Sequence, residues 1–442
     1  MSYASALSSL DSLIKELHAS PGTPRRKFHL EEMQILAYAL GNPERRFQSI
    51  LVAGTNGKGS TSATLASILT TAGFRTGLYT SPHLSRVNER IRVGNQEISD
   101  DDFAATYFRV DDIAQAAVLD GRLPAMPSYF EAVTATAFDY FAQQQVEIAI
   151  LEVGMGGRLD ATNIVEPALS IITDISLDHT EWLGNTIAEI AREKAGILRH
   201  NGILVTLPQH PEANQAIGEH AVELEVTGIN AVEFMPPLGT ATDAPYTVLF
   251  RGEPILIDSP LKGAHQHRNL ALALAALSEI CNKNSYNIIS DQIERGIRNT
   301  RWPGRLEEFH VSTQHNSVPV LFDVAHNPGG AWALRAALSN RPERPRTLIF
   351  GCLHDKAITE MSQILFPLFD RILLTPVRNP RSCTPEELGT LGSEATVCED
   401  PAEAFALARH AISPDGEIVV CGSVFLVGEL RTLLLQEAGT QA

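Results

Sequence analysis

Ser49-Ile50-Leu51-Val52-Ala53-Gly54-Thr55-Asn56-Gly57-Lys58-Gly59-Ser60 reads as a buried strand that runs into a glycine-rich turn, and the helical pattern Thr61–Ala72 follows it. Strand, glycine loop and helix in that order are the setting in which backbone N–H groups close on phosphate oxygens. Lys58 can neutralise the β and γ oxygens of a nucleotide, and the Ser60 hydroxyl can face Mg²⁺. The match to the strict nucleotide-binding pattern is incomplete. Val52 stands where that pattern has glycine, and Gly59 where it has Ser or Thr. A plain glycine turn is the bland alternative, and the flanking strand and helix argue against it.

Working outward, Arg75–Thr80, Glu147–Val153, Ala168–Ile175 and Gly202–Leu207 read as further strands, and Phe130–Gln143 and Ile187–Leu198 as helices. Nearly continuous apolar strands with helices between them indicate an α/β fold with a mostly parallel sheet covered on both faces. From Ala221 to Pro260 short alternating runs rich in Pro, Gly and Thr suggest a small antiparallel addition. Near Asn299–Glu307, proline and glycine interrupt the helical pattern, and the alternation then restarts. Val318–Val324, Arg346–Phe350, Arg371–Pro376, Ala395–Glu399 and Glu417–Gly422 read as strands of a smaller Rossmann-like domain. The expected division is therefore 1–298, a linker at 299–307, and 308–442.

The composition narrows the function classes. A chain of 442 residues is too long for one ordinary core. A formal charge of −17 with no basic run repels nucleic acid. Five cysteines without a C-x-x-C pair argue against a disulfide framework or a zinc ribbon, and fit reduced thiols in a cytoplasm. Met1–Ser20 carries Asp11, Lys15 and Glu16 among its apolar positions and reads as an amphipathic helix, not a signal peptide. The longest apolar stretch, Ile418 to Gly428, falls short of the roughly 18 residues that a membrane span requires.

Other strand ends carry chemistry. Glu152 ends a strand and is followed by Val153-Gly154-Met155-Gly156-Gly157, placing a carboxylate at the crevice where α/β sheets bind ligands. Such a carboxylate can hold Mg²⁺. Asp178-His179-Thr180 ends the next strand, so Ser60, Glu152 and His179 come to one edge. Arg192-Glu193-Lys194-Ala195-Gly196 lies on the following helix. A surface ion pair is the ordinary reading of Lys194 there.

Taken together, Thr55–Ser60, Ser81-Pro82-His83-Leu84, Leu151–Asn163, Leu177–Thr180 and Arg192–Gly196 resemble the folylpolyglutamate synthase/dihydrofolate synthase family of the Mur ligase superfamily. So do His265-Gln266-x-x-Asn269, Pro303-Gly304-Arg305 and Phe322–Pro328, and the resemblance runs from about Leu30 to Leu430. It implies that Thr55, Asn56, Gly57, Lys58, Gly59 and Ser60 grip ATP, and that Ser60, Ser81, Glu152 and His179 hold Mg²⁺. It implies a carbamylated Lys194, which turns a cation into an oxygen ligand. Asn269 and Arg305 would meet the base region and phosphates, Asp323 the ribose, and His326 the phosphates. Ser128, Tyr129, Phe130, Glu131, Leu159, Asp160 and Ala161 match positions that bind dihydropteroate. Leu30–Met33 aligns weakly with another such segment. One departure stands out: the segment Asp355-Lys356-Ala357 ends in alanine where the family has a second acid. Leu270 after Asn269, where alanine is commoner, reads as packing.

The resemblance implies an ATP- and Mg²⁺-dependent ligase that adds L-glutamate to dihydropteroate and to reduced folates through an acyl phosphate. With the acidic charge, the unpaired cysteines and the lack of a long apolar run, the expectation is a cytoplasmic monomer with no nucleic-acid or membrane partner. The alternatives are a folylpolyglutamate synthase alone, a Mur-type ligase acting on a nucleotide-sugar peptide, and a non-catalytic nucleotide-binding regulator.

Overall fold

A computed structural model describes residues 2–14, 30–312, 317–392 and 394–440. The first sheet contains β1 (Gln48–Ala53), β2 (Thr76–Tyr79), β3 (Ile91–Val93), β4 (Gln96–Glu97), β5 (Ile148–Glu152), β6 (Leu169–Ile172), β7 (Ile203–Thr206) and β8 (Thr227–Asn230). Their spatial order is β4-β3-β2-β5-β1-β6-β7-β8. The six strands from β2 to β8 along that order are parallel, and β3 and β4 continue the sheet antiparallel at one edge.

Both faces of β1 are covered. Leu51 and Ala53 enter one core beside Phe138 and Phe141, whereas Ile50 and Val52 enter the other beside Leu65 and Leu274. Alternation of side chains across a strand sends a continuous apolar run into two cores. The strand is therefore held from both sides and gives the loop after it a rigid base.

β1 lies between β5 and β6, where the order of strands reverses. Ligands of open α/β sheets bind at the carboxyl ends of strands at such a point. Three of the loops named from sequence leave these three neighbouring strands.

The stretch 221–260 departs from the expected antiparallel addition. β8 is a parallel edge strand of the main sheet, reached from β7 through the helix Pro211–Glu223. Only β9 (Tyr246–Phe250) and β10 (Glu253–Ile257) form an antiparallel hairpin. A parallel neighbour needs a crossover helix, and that helix overlaps the region read as strands.

The second sheet has the order β11-β12-β16-β13-β14-β15, from β11 (Glu307–Ser312), β12 (Ser317–Phe322), β13 (Arg346–Phe350), β14 (Arg371–Leu374), β15 (Thr396–Val397) and β16 (Glu417–Cys421). All its pairs are parallel except β11 with β12. β11 has no counterpart in the sequence reading. Glu307, Glu308 and His310 give it a polar, largely open edge in place of an apolar run. β15 is shorter than expected.

The first helix covers Tyr3–Ile14, and the remainder of its expected range lies outside the described residues. All five cysteines are buried and free. Among the described residues no helix is long and apolar enough to cross a membrane.

Candidate active site

The phosphate loop begins where β1 ends. Gly54 and Gly57 both have positive φ, at 147° and 90°. A Cβ on Gly57 would lie 2.1 Å from the Asn269 Oδ1, and one on Gly54 would lie 1.8 Å from the Thr173 Oγ1. Glycine is needed twice here, for the backbone conformation and for the close approach. The amides of Thr55 and Asn56 donate to the Asp174 carbonyl at 2.9 and 3.1 Å, and the Thr55 hydroxyl donates to the Ser176 carbonyl at 3.0 Å. The helix starts at Lys58, three residues earlier than its sequence pattern suggested. Lys58 and the buried Ser60 therefore sit in the first helical turn, at the positive end of the helix dipole.

Lys58 Nζ lies 4.0 Å from Glu152 Oε1, and Glu152 Oε2 accepts from the Ser81 amide at 3.2 Å. Burial raises the Glu152 carboxyl above its ordinary range, and Lys58 and the Ser81 amide pull against that. His179, with φ 52°, caps the four-residue helix Thr180–Leu183. Burial, helped by the charge of Lys356, lowers its imidazole to about 4, so the ring is neutral near pH 7 and free to ligate through nitrogen. Among the described residues no three His, Cys, Asp or Glu cluster tightly enough to hold a metal by themselves. A carboxylate, a neutral imidazole and the hydroxyls of Ser60 and Ser81 instead suit Mg²⁺, which keeps few protein ligands and takes the rest from phosphates and water.

Lys194 is buried, and its Nζ donates to the Gly54 carbonyl at 2.8 Å. Among the described residues no carboxylate forms an ion pair with it. Burial, with Lys58 nearby, lowers its pKa to about 7. The surface ion pair considered from sequence does not describe this residue.

The second domain closes the cleft. Arg305 follows the turn at Gly304. Asp323 lies just beyond β12, where it accepts from the amides of Leu306 and Ala325, each at 3.0 Å. Burial raises the Asp323 carboxyl, and Arg305 opposes this. A cleft of about 470 Å³ is lined by Gly54–Ser60, Ser81, Glu152, His179, Lys194, Asn269, Arg305, Asp323 and His326, among others. Thus every residue assigned from sequence to nucleotide or metal faces one space.

A chamber of about 760 Å³ adjoins the cleft and shares Gly154, Met155, Gly156 and His179 with it. Ser128, Phe130, Glu131, Leu159, Asp160 and Ala161 line it, together with Trp182 and, from the second domain, His354, Asp355 and Arg381. Tyr129 lies outside this lining, and its ring packs 5.5 Å from the Arg90 guanidinium. Helical geometry turns neighbouring side chains about 100° apart, and here that step carries Tyr129 away from the chamber that Phe130 lines. Ser128 and Glu131 cap each other across the helix start, with Glu131 Oε2 accepting from the Ser128 amide at 2.7 Å. The Asp160 carboxylate accepts from the amides of Gly154, Met155 and Thr162 at 3.0 Å and from the Thr162 hydroxyl at 2.6 Å. It pins the glycine turn between the two spaces. Removing it would strip those amides of acceptors, at about 1–3 kcal/mol for each one left buried.

Sequence reading passed over Asp178, Asn327 and Lys356, which meet between the domains. In the sequence Asp178 stands out only as the neighbour of His179, and Lys356 lies in a segment whose second acid is replaced by Ala357. Their signal lay in the short polar loops after β6, β12 and β13, but pairing them required the tertiary structure.

Models of two Mur ligase families match the chain, the middle domain over residues 52–277 and the glutamate ligase domain over 304–424. The chain is 34% identical to the dihydrofolate synthase/folylpolyglutamate synthase of Bacillus subtilis, covering 92% of this chain and 94% of that one. It is 31% identical to the folylpolyglutamate synthase of Lacticaseibacillus casei, over 95% and 97%. An Escherichia coli FolC structure in complex with DHPP and ADP superposes with a TM-score of 0.83, at 31% identity and 99% coverage of both chains. With the order of motifs, the two domains and these likenesses over nearly its whole length, the chain belongs to the folylpolyglutamate synthase/dihydrofolate synthase family of Mur ligases.

Proposed function

We propose that this protein ligates L-glutamate to the carboxylate of dihydropteroate and to the γ-carboxylate of folyl glutamates, consuming ATP and forming an acyl phosphate on the way. The observation that carries the reading is the shared wall of cleft and chamber: Gly154–Gly156 and His179 face both spaces. A ligand seated against Phe130, Leu159 and Ala161 can extend its carboxylate past that wall to the γ-phosphate end of the cleft. Relatives named as dihydrofolate synthase/folylpolyglutamate synthase and a relative structure holding DHPP and ADP support the same reading.

In this proposal the loop Thr55–Ser60 binds the nucleotide phosphates, with the amides of the helix start after Gly57 facing them, and Lys58 neutralises charge on the phosphoryl group in flight. Ser60, Ser81, Glu152 and His179 would hold Mg²⁺, whose chemistry is to polarise the phosphoryl oxygens. Asn269 and Arg305 bind the base region and phosphates, Asp323 the ribose and His326 the phosphates. Lys194 is proposed to carry a carbamate. Its pKa near 7 leaves a large fraction as neutral amine, the form that attacks CO₂, and a carbamate would supply oxygens facing Lys58. The carboxylate attacks the γ-phosphorus and ADP leaves. The glutamate amine then attacks the acyl carbon, and phosphate departs. We take 299–307 as the linker between the two halves, the chain as a cytoplasmic monomer, and nucleic acid and membranes as absent from its partners.

The test is turnover of the purified chain. ADP and phosphate should appear only when ATP, Mg²⁺, L-glutamate and an acceptor are all present, with both dihydropteroate and a reduced folate monoglutamate accepted. Turnover with one acceptor alone reduces the reading to a single synthase. Turnover with neither sinks it.

A further inference from the structure

Three donors of the second domain converge on one carboxylate of the first. Lys356 Nζ lies 2.6 Å from Asp178 Oδ1. Asn327 Nδ2 donates to Asp178 Oδ2 at 3.1 Å, and His326 Nε2 lies 3.5 Å from the same oxygen. The side chains of Lys356 and Asp178 are 8% and 7% exposed. Asn327, itself buried, also donates to Asn56 Oδ1 of the phosphate loop at 3.0 Å, while its own Oδ1 accepts from the Gly330 amide at 2.8 Å and caps the helix Pro328–Ser339. One amide thus joins a helix start of the second domain to Asp178 and to the loop that faces the phosphates.

The charge balance favours this link. Lys356 and Asn327 approach the two oxygens of Asp178 from the second domain, one on each, so neither oxygen lacks a donor. Asp355, the acid beside Lys356, is engaged by Arg381 at 3.2 Å, and position 357 is alanine, so Asp178 is the carboxylate left to Lys356. A buried ion pair adds little net stability relative to an apolar replacement, but it fixes which surfaces meet. Here it fixes the spacing between Arg305, Asp323 and His326 on one side and Lys58, Glu152 and His179 on the other.

We infer that Lys356 and Asn327 are positioning residues that hold the second domain against the phosphate loop through Asp178, and thereby set how often the activated acceptor meets the amine and how often it meets water. The second clause rests on the ligase reading. In ligation the amine nitrogen attacks the acyl carbon, the carbon–oxygen bond to phosphate breaks, phosphate leaves with the electron pair, and the amine loses a proton. In the leak, water attacks the same carbon, the carboxylate is regenerated and phosphate leaves. Each path uses one ATP, and only the first gives product.

The experiment compares the wild-type chain with Lys356→Met and Asn327→Ser, the latter keeping an oxygen to cap the helix. ADP released per glutamylated product is measured at saturating ATP, and thermal midpoints check folding. Lys356→Met should raise the ratio by roughly 3- to 10-fold, and Lys356→Arg, which keeps a cation, should stay near wild type. In parallel, spin labels at Leu119→Cys and Leu435→Cys, one exposed site in each domain, report the inter-domain distance. A longer or broader distribution in both variants supports the positioning role. A wild-type distribution and ratio in folded Lys356→Met and Asn327→Ser overturn it. A wild-type chain that makes no product removes the ligase reading alone, and the distance measurement still decides whether these residues hold the domains together.

Discussion

The nucleotide cleft and the apolar chamber share a wall but are built on different principles. In the cleft, backbone geometry and charge do the positioning: positive-φ glycines, a helix start, a buried carboxylate beside Lys58, and a lysine whose charge is disfavoured. Burial has moved Glu152 and Lys194 away from their ordinary protonation ranges. In the chamber Asp160 is paired with the glycine turn and Ser128 with Glu131, and the apolar surface is that of Phe130, Leu159 and Trp182. The cleft is suited to reaction and the chamber to retention. Changes in the cleft should therefore act on turnover, and changes in the chamber on the apparent affinity for the acceptor.

Lys58→Ala is the sharpest way to break that comparison. It should lower kcat by roughly 10³-fold with the thermal midpoint nearly unchanged, because it removes charge stabilisation at the phosphoryl group and little packing. Steady-state ligation assays with a melting curve check this, and normal turnover in a folded variant would refute the phosphate-loop assignment.

Glu152→Gln comes next. It should raise the Mg²⁺ concentration for half-maximal rate by about 10- to 100-fold, as it removes the buried carboxylate at the β5 strand end that faces the cleft. A Mg²⁺ titration identical to wild type would show that the metal lies elsewhere.

Lys194 gives a pH signature. Only its neutral amine can react with CO₂, so activity should fall as pH drops through about 7 and recover with added bicarbonate. Lys194→Arg should be poorly active and unresponsive to bicarbonate. The stability sign is consistent. The folded chain holds this proton less tightly than the unfolded one, so with CO₂ excluded stability should rise between about pH 7 and about pH 10, and Lys194→Met should flatten the rise. Activity independent of bicarbonate at every pH would count against the carbamate.

The smallest effects belong to the chamber. Phe130→Ala should raise KM for the pterin acceptor by about 10-fold with KM for ATP unchanged, since only apolar contact is lost. Tyr129→Phe, one position away, should change either constant by less than about 2-fold, because the ring packs on Arg90 outside the chamber. Equal effects from the two would mean that the acceptor binds differently.

Much of this was legible in the sequence. The alternation of apolar strands and helices, the glycine loop after β1, and the acids and histidine at the ends of β5 and β6 are local patterns. A parallel sheet brings neighbouring strand ends together wherever it forms, so Ser60, Glu152 and His179 could be placed on one edge without coordinates. Local pattern failed where geometry is not periodic. β11 is a polar edge strand and carries no apolar signature. β8 lay hidden in a region read as antiparallel because only the crossover helix fixes its direction. Tyr129 and Phe130 look alike in sequence, and a single step of helical rotation separates them.

The sequence by itself determined the alternation of strands and helices, the phosphate loop and the strand-end groups Ser60, Glu152 and His179, because these depend on residues a few positions apart on rigid strands, whereas Ser81, Asn269, Arg305, Asp323 and His326 followed from the family resemblance. Only the tertiary structure decided that Asp178 meets Lys356, His326 and Asn327, and that Lys194 is buried with its Nζ on the Gly54 carbonyl. Those facts depend on desolvation and on contacts between residues more than a hundred positions apart. Neither quantity is carried by a residue's identity or its spacing along the chain.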